Sequence, residues 1–170
     1  MHTDPFELLG LDRRFDLSSR QVRQAWRTRA MSAHPDLLDD ETHEVTRGAA
    51  TLNDAMHTLL DPERRADTLV VLMGGPTREQ DTALPKEFLG QMMEVRESFE
   101  SALARSDAAE IQRWTDWSDQ QRSRLLATVG ELFESHAEST DEQVLRDIRH
   151  VLNQLRFIER MREQITPVDH

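Results

Sequence analysis

The chain has 170 residues, with 32 acidic against 21 basic side chains, a formal net charge of −11, and no cysteine or tyrosine. That balance leaves no basic excess to displace counterions, which sets nucleic-acid binding aside. Without cysteine there is no disulfide, no thiol nucleophile and no thiolate metal site.

The length suits one domain or two small ones. No stretch alternates apolar and polar residues with period two, so the chain reads as all-α. The histidines show no paired ligand spacing, and neither a metal site nor a cofactor is expected. The N-terminus, Met1-His2-Thr3-Asp4-Pro5, lacks the basic and apolar regions of a secretory signal. The longest apolar run, residues 69–73, is far shorter than a bilayer span. The expectation is a soluble, cytoplasmic protein with no membrane partner.

Asp4 caps a short first helix over residues 5–10, Pro5 takes its first position and Gly10 ends it. A second helix covers about residues 19–33. Val22, Ala25, Trp26 and Ala33 fall on one arc, and Arg20, Arg23 and Arg27 on the opposite one. Arg29 lies on the apolar arc, where its stem must snorkel outward. Pro35 removes a backbone donor and disfavours helix at His34, so His34-Pro35-Asp36 forms a loop. Alone, such a tripeptide is a helix stop and a turn. The arginine face leading into it supports a second reading, a docking surface for an acidic partner. A general-base pair of His34 and Asp36 would be a third reading. No nucleophile, oxyanion donors or metal ligands accompany that pair, so no catalytic residue is assigned.

A third helix over residues 45–60 carries Ala49, Leu52, Ala55, Met56 and Leu59, and Asp61-Pro62 breaks it. A fourth covers residues 63–73. Gly74-Gly75-Pro76-Thr77 is the strongest punctuation in the chain. It divides a first domain, residues 1–73, from a linker or ordered connector, 74–84, and a second domain, 85–170.

The second domain reads as three long amphipathic helices, residues 85–105, 107–136 and 140–165, in an antiparallel bundle. The middle one carries a potential interruption near residues 116–119. The last begins with a capping box from Thr140 to Gln143, and its stripe is Val144, Ile148, Val151, Leu152, Leu155 and Ile158. Some apolar residues lie off the stripes: Leu89 and Met93 beside Glu94 and Glu97, and Phe157 with Met161. Two readings stand, packing on the first domain or a groove for a partner segment.

Residues 1–73 resemble a J-domain, the module that activates DnaK-type chaperone ATPases. The resemblance rests on Phe6, Leu9-Gly10-Leu11, Trp26-Arg27, His34-Pro35-Asp36, Asn53-Asp54-Ala55 and Leu59. Asp61-Pro62, Arg65-Ala66 and Leu69 are similar to the end of the J-domain in HscB, the iron–sulfur assembly co-chaperone. Phe88-Leu89, Glu94-Val95-Arg96-Glu97 and Leu155-Arg156-Phe157-Ile158 resemble motifs of the HscB C-terminal bundle. The resemblance implies that His34, Pro35, Asp36, Arg20, Arg23 and Arg27 dock on a DnaK/HscA-type chaperone. It also implies that Leu89, Gly90, Met93, Glu94, Glu97 and Phe157 bind an IscU-type scaffold protein. An alternative is a J-domain adaptor for another client of a general DnaK. Four positions depart from the family pattern. Leu37 replaces a basic residue, Arg29 a leucine and Ala33 a larger apolar or aromatic residue, while Gly90 lacks the usual apolar side chain.

Overall fold

The structure is a computed structural model. It describes the backbone of residues 4–32 and 42–165 and the side chains of residues 4–32 and 48–163. Among the described residues there are seven α-helices and no strands. The helices are α1 (Pro5–Leu9), α2 (Ser19–Ser32), α3 (Thr42–Leu60), α4 (Pro62–Leu72), α5 (Lys86–Ala104), α6 (Ala108–Ser139) and α7 (Glu142–Ile165). The chain divides into two compact units, residues 1–72 and 73–170.

In the first unit, local signals set the helix ends. The Asp4 carboxylate accepts from Phe6 N at 2.8 Å and Glu7 N at 3.4 Å, which satisfies two otherwise orphaned donors of α1. Gly10 closes α1 in the left-handed region at φ 69°. Ser18 and Gln21 form a reciprocal box at the start of α2, with Ser18 N donating to Gln21 Oε1 at 2.9 Å and Gln21 N donating to Ser18 Oγ at 3.3 Å. Phe6, Leu9, Val22, Ala55 and Leu59 are buried where α1, α2 and α3 meet. Trp26 Nε1 donates to Asn53 Oδ1 at 2.9 Å and pins α2 to α3.

Arg65 is buried despite its charge. Its Nη1 donates to Leu59 O, at the end of α3, at 2.6 Å. Its guanidinium lies 5.2 Å from the centre of the Phe15 ring. Burial pushes the guanidinium below its ordinary pKa, and Asp61 and Asp16 oppose that shift. One side chain thus supplies a terminal carbonyl's donor and a cation–π contact. Arg65→Ala is expected to cost about 2–3 kcal/mol, because it leaves a helix-end carbonyl unpaired and a gap beside Phe15. Arg65→Lys should not restore this, since a point charge cannot both cover the ring and reach the carbonyl. Amide hydrogen exchange would check it, with protection falling in α3 and α4 while α6 and α7 keep theirs.

In the second unit α6 and α7 form the main pair, and α5 packs on both. Arg122 Nε pairs with Glu159 at 2.6 Å and Arg162 with Asp119 at 2.8 Å. The partners step in opposite directions along the two helices, which is antiparallel register. α6 runs unbroken through residues 116–119, where the sequence suggested an interruption. The polar groups there are satisfied without leaving the helix. Gln112 Nε2 donates to Asp116 at 2.9 Å, Ser118 Oγ donates to Thr115 O at 2.8 Å, and Asp119 takes Arg162. Thr140 is not the cap of α7. It sits at φ 52° and closes α6, and Asp141 caps α7 by accepting from Gln143 N at 2.8 Å.

The buried face of α7 is also wider than one stripe. Leu145, Ile148, Leu152, Leu155 and Ile158 are buried, and so are Arg149 and Met161, whereas Val144 and Val151 are half-buried. The cause is that α7 is covered twice, by α6 on one side and by α5 and the preceding connector on the other. Residues 73–85 belong to this second unit. The buried Arg149 donates from Nε to Pro76 O at 3.0 Å. Asn153 donates to the carbonyls of Asp81 and Ala83, both at 3.1 Å, and His150 Nε2 lies 3.1 Å from the Asp81 carboxylate. The Ala83 N–H lowers the Asp81 pKa, with His150 and Arg149 adding to it.

Candidate docking surfaces

The first surface is the outer face of α2. The reciprocal cap at Ser18 fixes where the helix starts, and Val22 and Trp26 turn one side inward. Arg20, Arg23 and Arg27 therefore point outward, and all three are exposed. Among the described residues none of them makes an ion pair, so their charge is available to a partner. Met31 shares this face and is 71% exposed. Sequence reasoning passed over it, although the same 100° arithmetic that grouped the arginines places Met31 among them. The result is a cationic strip ending in an apolar knob. His34, Pro35, Asp36, Ala33 and Leu37 lie outside the described residues.

Arg29 does not dip into the core. It is exposed and runs back along α2, so that its guanidinium lies against the left-handed Gly10. A side chain at Gly10 would meet Arg29 Nη2 at 2.7 Å. A shallow groove of about 430 Å³ lies between α1 and α2, with Leu9 and Leu11 on one wall and Ala25, Thr28 and Arg29 on the other.

The second surface is on α5. Phe88, Met92 and Phe99 point inward, and Phe88 meets Phe157 of α7 edge-to-face at 5.7 Å between centroids. That contact leaves Phe157 half-buried. One step round the helix, Leu89 is 41% and Met93 74% exposed. Gly90, Glu94 and Glu97 are exposed beside them. The structure thus brings five of the six expected residues onto exposed parts of α5, with Phe157 reaching the same helix through Phe88. Met161, which the sequence grouped with Phe157, is buried in the bundle.

A Cβ built at Gly90 meets nothing within 4 Å. Gly90→Ala is therefore expected to stabilise the second unit by about 1 kcal/mol, the difference between glycine and alanine in a helix interior. A rise in the denaturation midpoint, with the denaturant slope unchanged, would be the sign of it.

Among the described residues, no group of three histidine, aspartate or glutamate side chains could hold a metal ion, and no helix is long and apolar enough to cross a membrane. The described surface offers one charged face, on α2, and one apolar face, on α5.

Family comparisons agree with this architecture. The DnaJ domain family matches residues 4–68, and the HSCB C-terminal oligomerisation domain family matches residues 84–166. The co-chaperone protein HscB homolog of Burkholderia thailandensis is 32% identical over 165 residues, covering 94% of this chain and 90% of that protein. The homolog of Vibrio cholerae is 32% identical over 167 residues, covering 94% and 97%. Among solved structures, the chaperone HscB of Vibrio cholerae superposes with a TM-score of 0.62 at 26% identity, over 96% of this chain and all of that one. Human HscB shares the fold, with a TM-score of 0.77 at 21% identity over 96% and 81% of the two chains.

The fold and the matches define a J-domain co-chaperone, a class that works with an Hsp70-type chaperone and is not itself an enzyme. Within that class, the chain belongs to the HscB co-chaperone family.

Proposed function

We propose that this protein stimulates the ATPase of a DnaK/HscA-type chaperone in the cytoplasm and delivers to it an IscU-type iron–sulfur scaffold protein. The observation that carries the reading is that each unit exposes one face of distinct chemistry. The α2 face is cationic and free of ion pairs among the described residues. The α5 face is apolar and flanked by carboxylates. Two faces of such different character suit two different partners.

On this reading, Arg20, Arg23 and Arg27 steer the first unit onto an acidic surface of the ATP-bound chaperone, and Met31 adds apolar contact. His34, Pro35 and Asp36 follow directly in the chain and engage the same partner. Stimulation needs no active site here. Binding the hydrolysis-competent state more tightly than its alternatives shifts the chaperone toward it. Leu89, Gly90, Met93, Glu94, Glu97 and Phe157 hold the scaffold protein. The covalent link between the two units then raises the scaffold's effective concentration beside the chaperone.

Single-turnover ATP hydrolysis by the cognate chaperone tests the first role. Wild-type protein should accelerate it, and His34→Gln should lose the effect. A folded wild-type protein that accelerates none of its cell's DnaK-type chaperones would overturn the assignment. One observation favours a second reading, an adaptor for a different client of a general DnaK. Gly90 leaves open space where an apolar contact would strengthen scaffold binding. Retained stimulation with no scaffold binding would select it.

A further inference from the structure

Lys86 is the single lysine of the chain. It occupies the first position of α5, where it is exposed. A cation there opposes the helix dipole, whose positive end lies at the N-terminus. Glu87 at the next position is the acid that this helix end favours, but among the described residues it forms no ion pair with Lys86. Pro85 precedes Lys86 as the N-cap, with no side-chain cap bond, and among the described residues Lys86 makes no ion pair. Lys86 is thus an exposed cation, unpaired among the described residues, at a position that gives the fold no return for it, which leaves its charge available to a partner.

Its place on the helix points to that partner. At about 100° per residue, Lys86 lies roughly 20° from Met93 and roughly 60° from Leu89 around α5. Glu97 falls roughly 20° from Lys86, at the other end of the same strip, roughly 16 Å away along the axis. The exposed face is therefore polarised, with an ammonium at its start, apolar Leu89 and Met93 in the middle and Glu97 at its end. An apolar contact alone leaves a bound partner free to slide or reverse. Opposite charges at the two ends fix one orientation.

We propose that Lys86 is an orientation-determining residue of the client face, pairing with an acidic group on the scaffold protein while Glu97 takes a basic one. This rests on the client reading given above.

The test is the affinity of full-length protein for the IscU-type scaffold of its own cell, with wild type, Lys86→Gln and Lys86→Glu, at low and high salt. Lys86→Glu should bind about three- to tenfold more weakly at low salt, with Lys86→Gln between it and wild type, and the gap should narrow as salt screens the pair. The melting temperature should stay level or rise in Lys86→Glu, because an acid suits a helix N-terminus better than a base. Weaker binding with undiminished stability separates a contact residue from a structural one. If wild type binds and both variants bind equally well at low salt, the proposal fails and the client reading survives. If wild type does not bind the scaffold, both fail.

Discussion

Reversing Arg23 and Arg27 together to glutamate is expected to reduce ATPase stimulation by at least about tenfold at low salt while leaving the protein as stable as before. Both side chains are exposed, and among the described residues neither makes an ion pair, so the folded state loses nothing when they go. Glutamate has nearly arginine's helix propensity. The whole effect should therefore appear in docking, where attraction to an acidic chaperone surface becomes repulsion. Rising salt should erase much of the difference, because exposed charges are screened over about 8–10 Å at physiological ionic strength. Met31→Ala offers the internal contrast. Its contribution is apolar, so its smaller loss should persist at high salt. Single-turnover hydrolysis measured across a salt series distinguishes the two. Unchanged stimulation by the double reversal at every salt concentration would remove α2's outer face from the docking surface.

The parts legible in the sequence were those set by local chemistry. Asp4, Pro5 and Gly10 bound α1 because capping and left-handed closure involve only neighbouring residues. The arginine and Leu89/Met93 faces were legible because helical periodicity separates inward from outward positions. What escaped the sequence was set by tertiary packing. α7 is covered on two sides, so Met161 and Arg149 are buried where a single stripe would leave them out. Arg65 and Arg149 are buried because each finds a backbone carbonyl on another segment, Leu59 O and Pro76 O. No periodicity announces such a partner, and arginine's usual place is the surface. The start of α7 was misread for a subtler reason. Thr140 and Asp141 both suit a cap, and the tight reversal from α6 put Thr140 in the left-handed region, leaving the cap to Asp141.

The client face yields the second large effect. Leu89→Ala with Met93→Ala is expected to weaken scaffold binding by about 3 kcal/mol, roughly a hundredfold, since each side chain would bury its remaining exposed apolar area on binding. Met93 is 74% exposed and gives the free protein little, while Leu89 at 41% is partly covered, so the melting temperature should fall only slightly beside the loss of affinity. Phe157 is a poorer probe of the same surface. It packs edge-on against Phe88, and Phe157→Ala would open a gap between α5 and α7 and lower stability along with affinity. Gly90 works in the opposite direction. The space above it is open, so Gly90→Leu should add both helix propensity and apolar contact, and bind the scaffold more tightly than wild type. Titration calorimetry on the three variants would show whether affinity follows the apolar area exposed on this face. If Leu89→Ala/Met93→Ala binds as tightly as wild type, α5 is not where the client sits. A loss there, set against a gain in Gly90→Leu, would locate the scaffold on this turn of the helix, because a distant structural defect would not move the two variants in opposite directions.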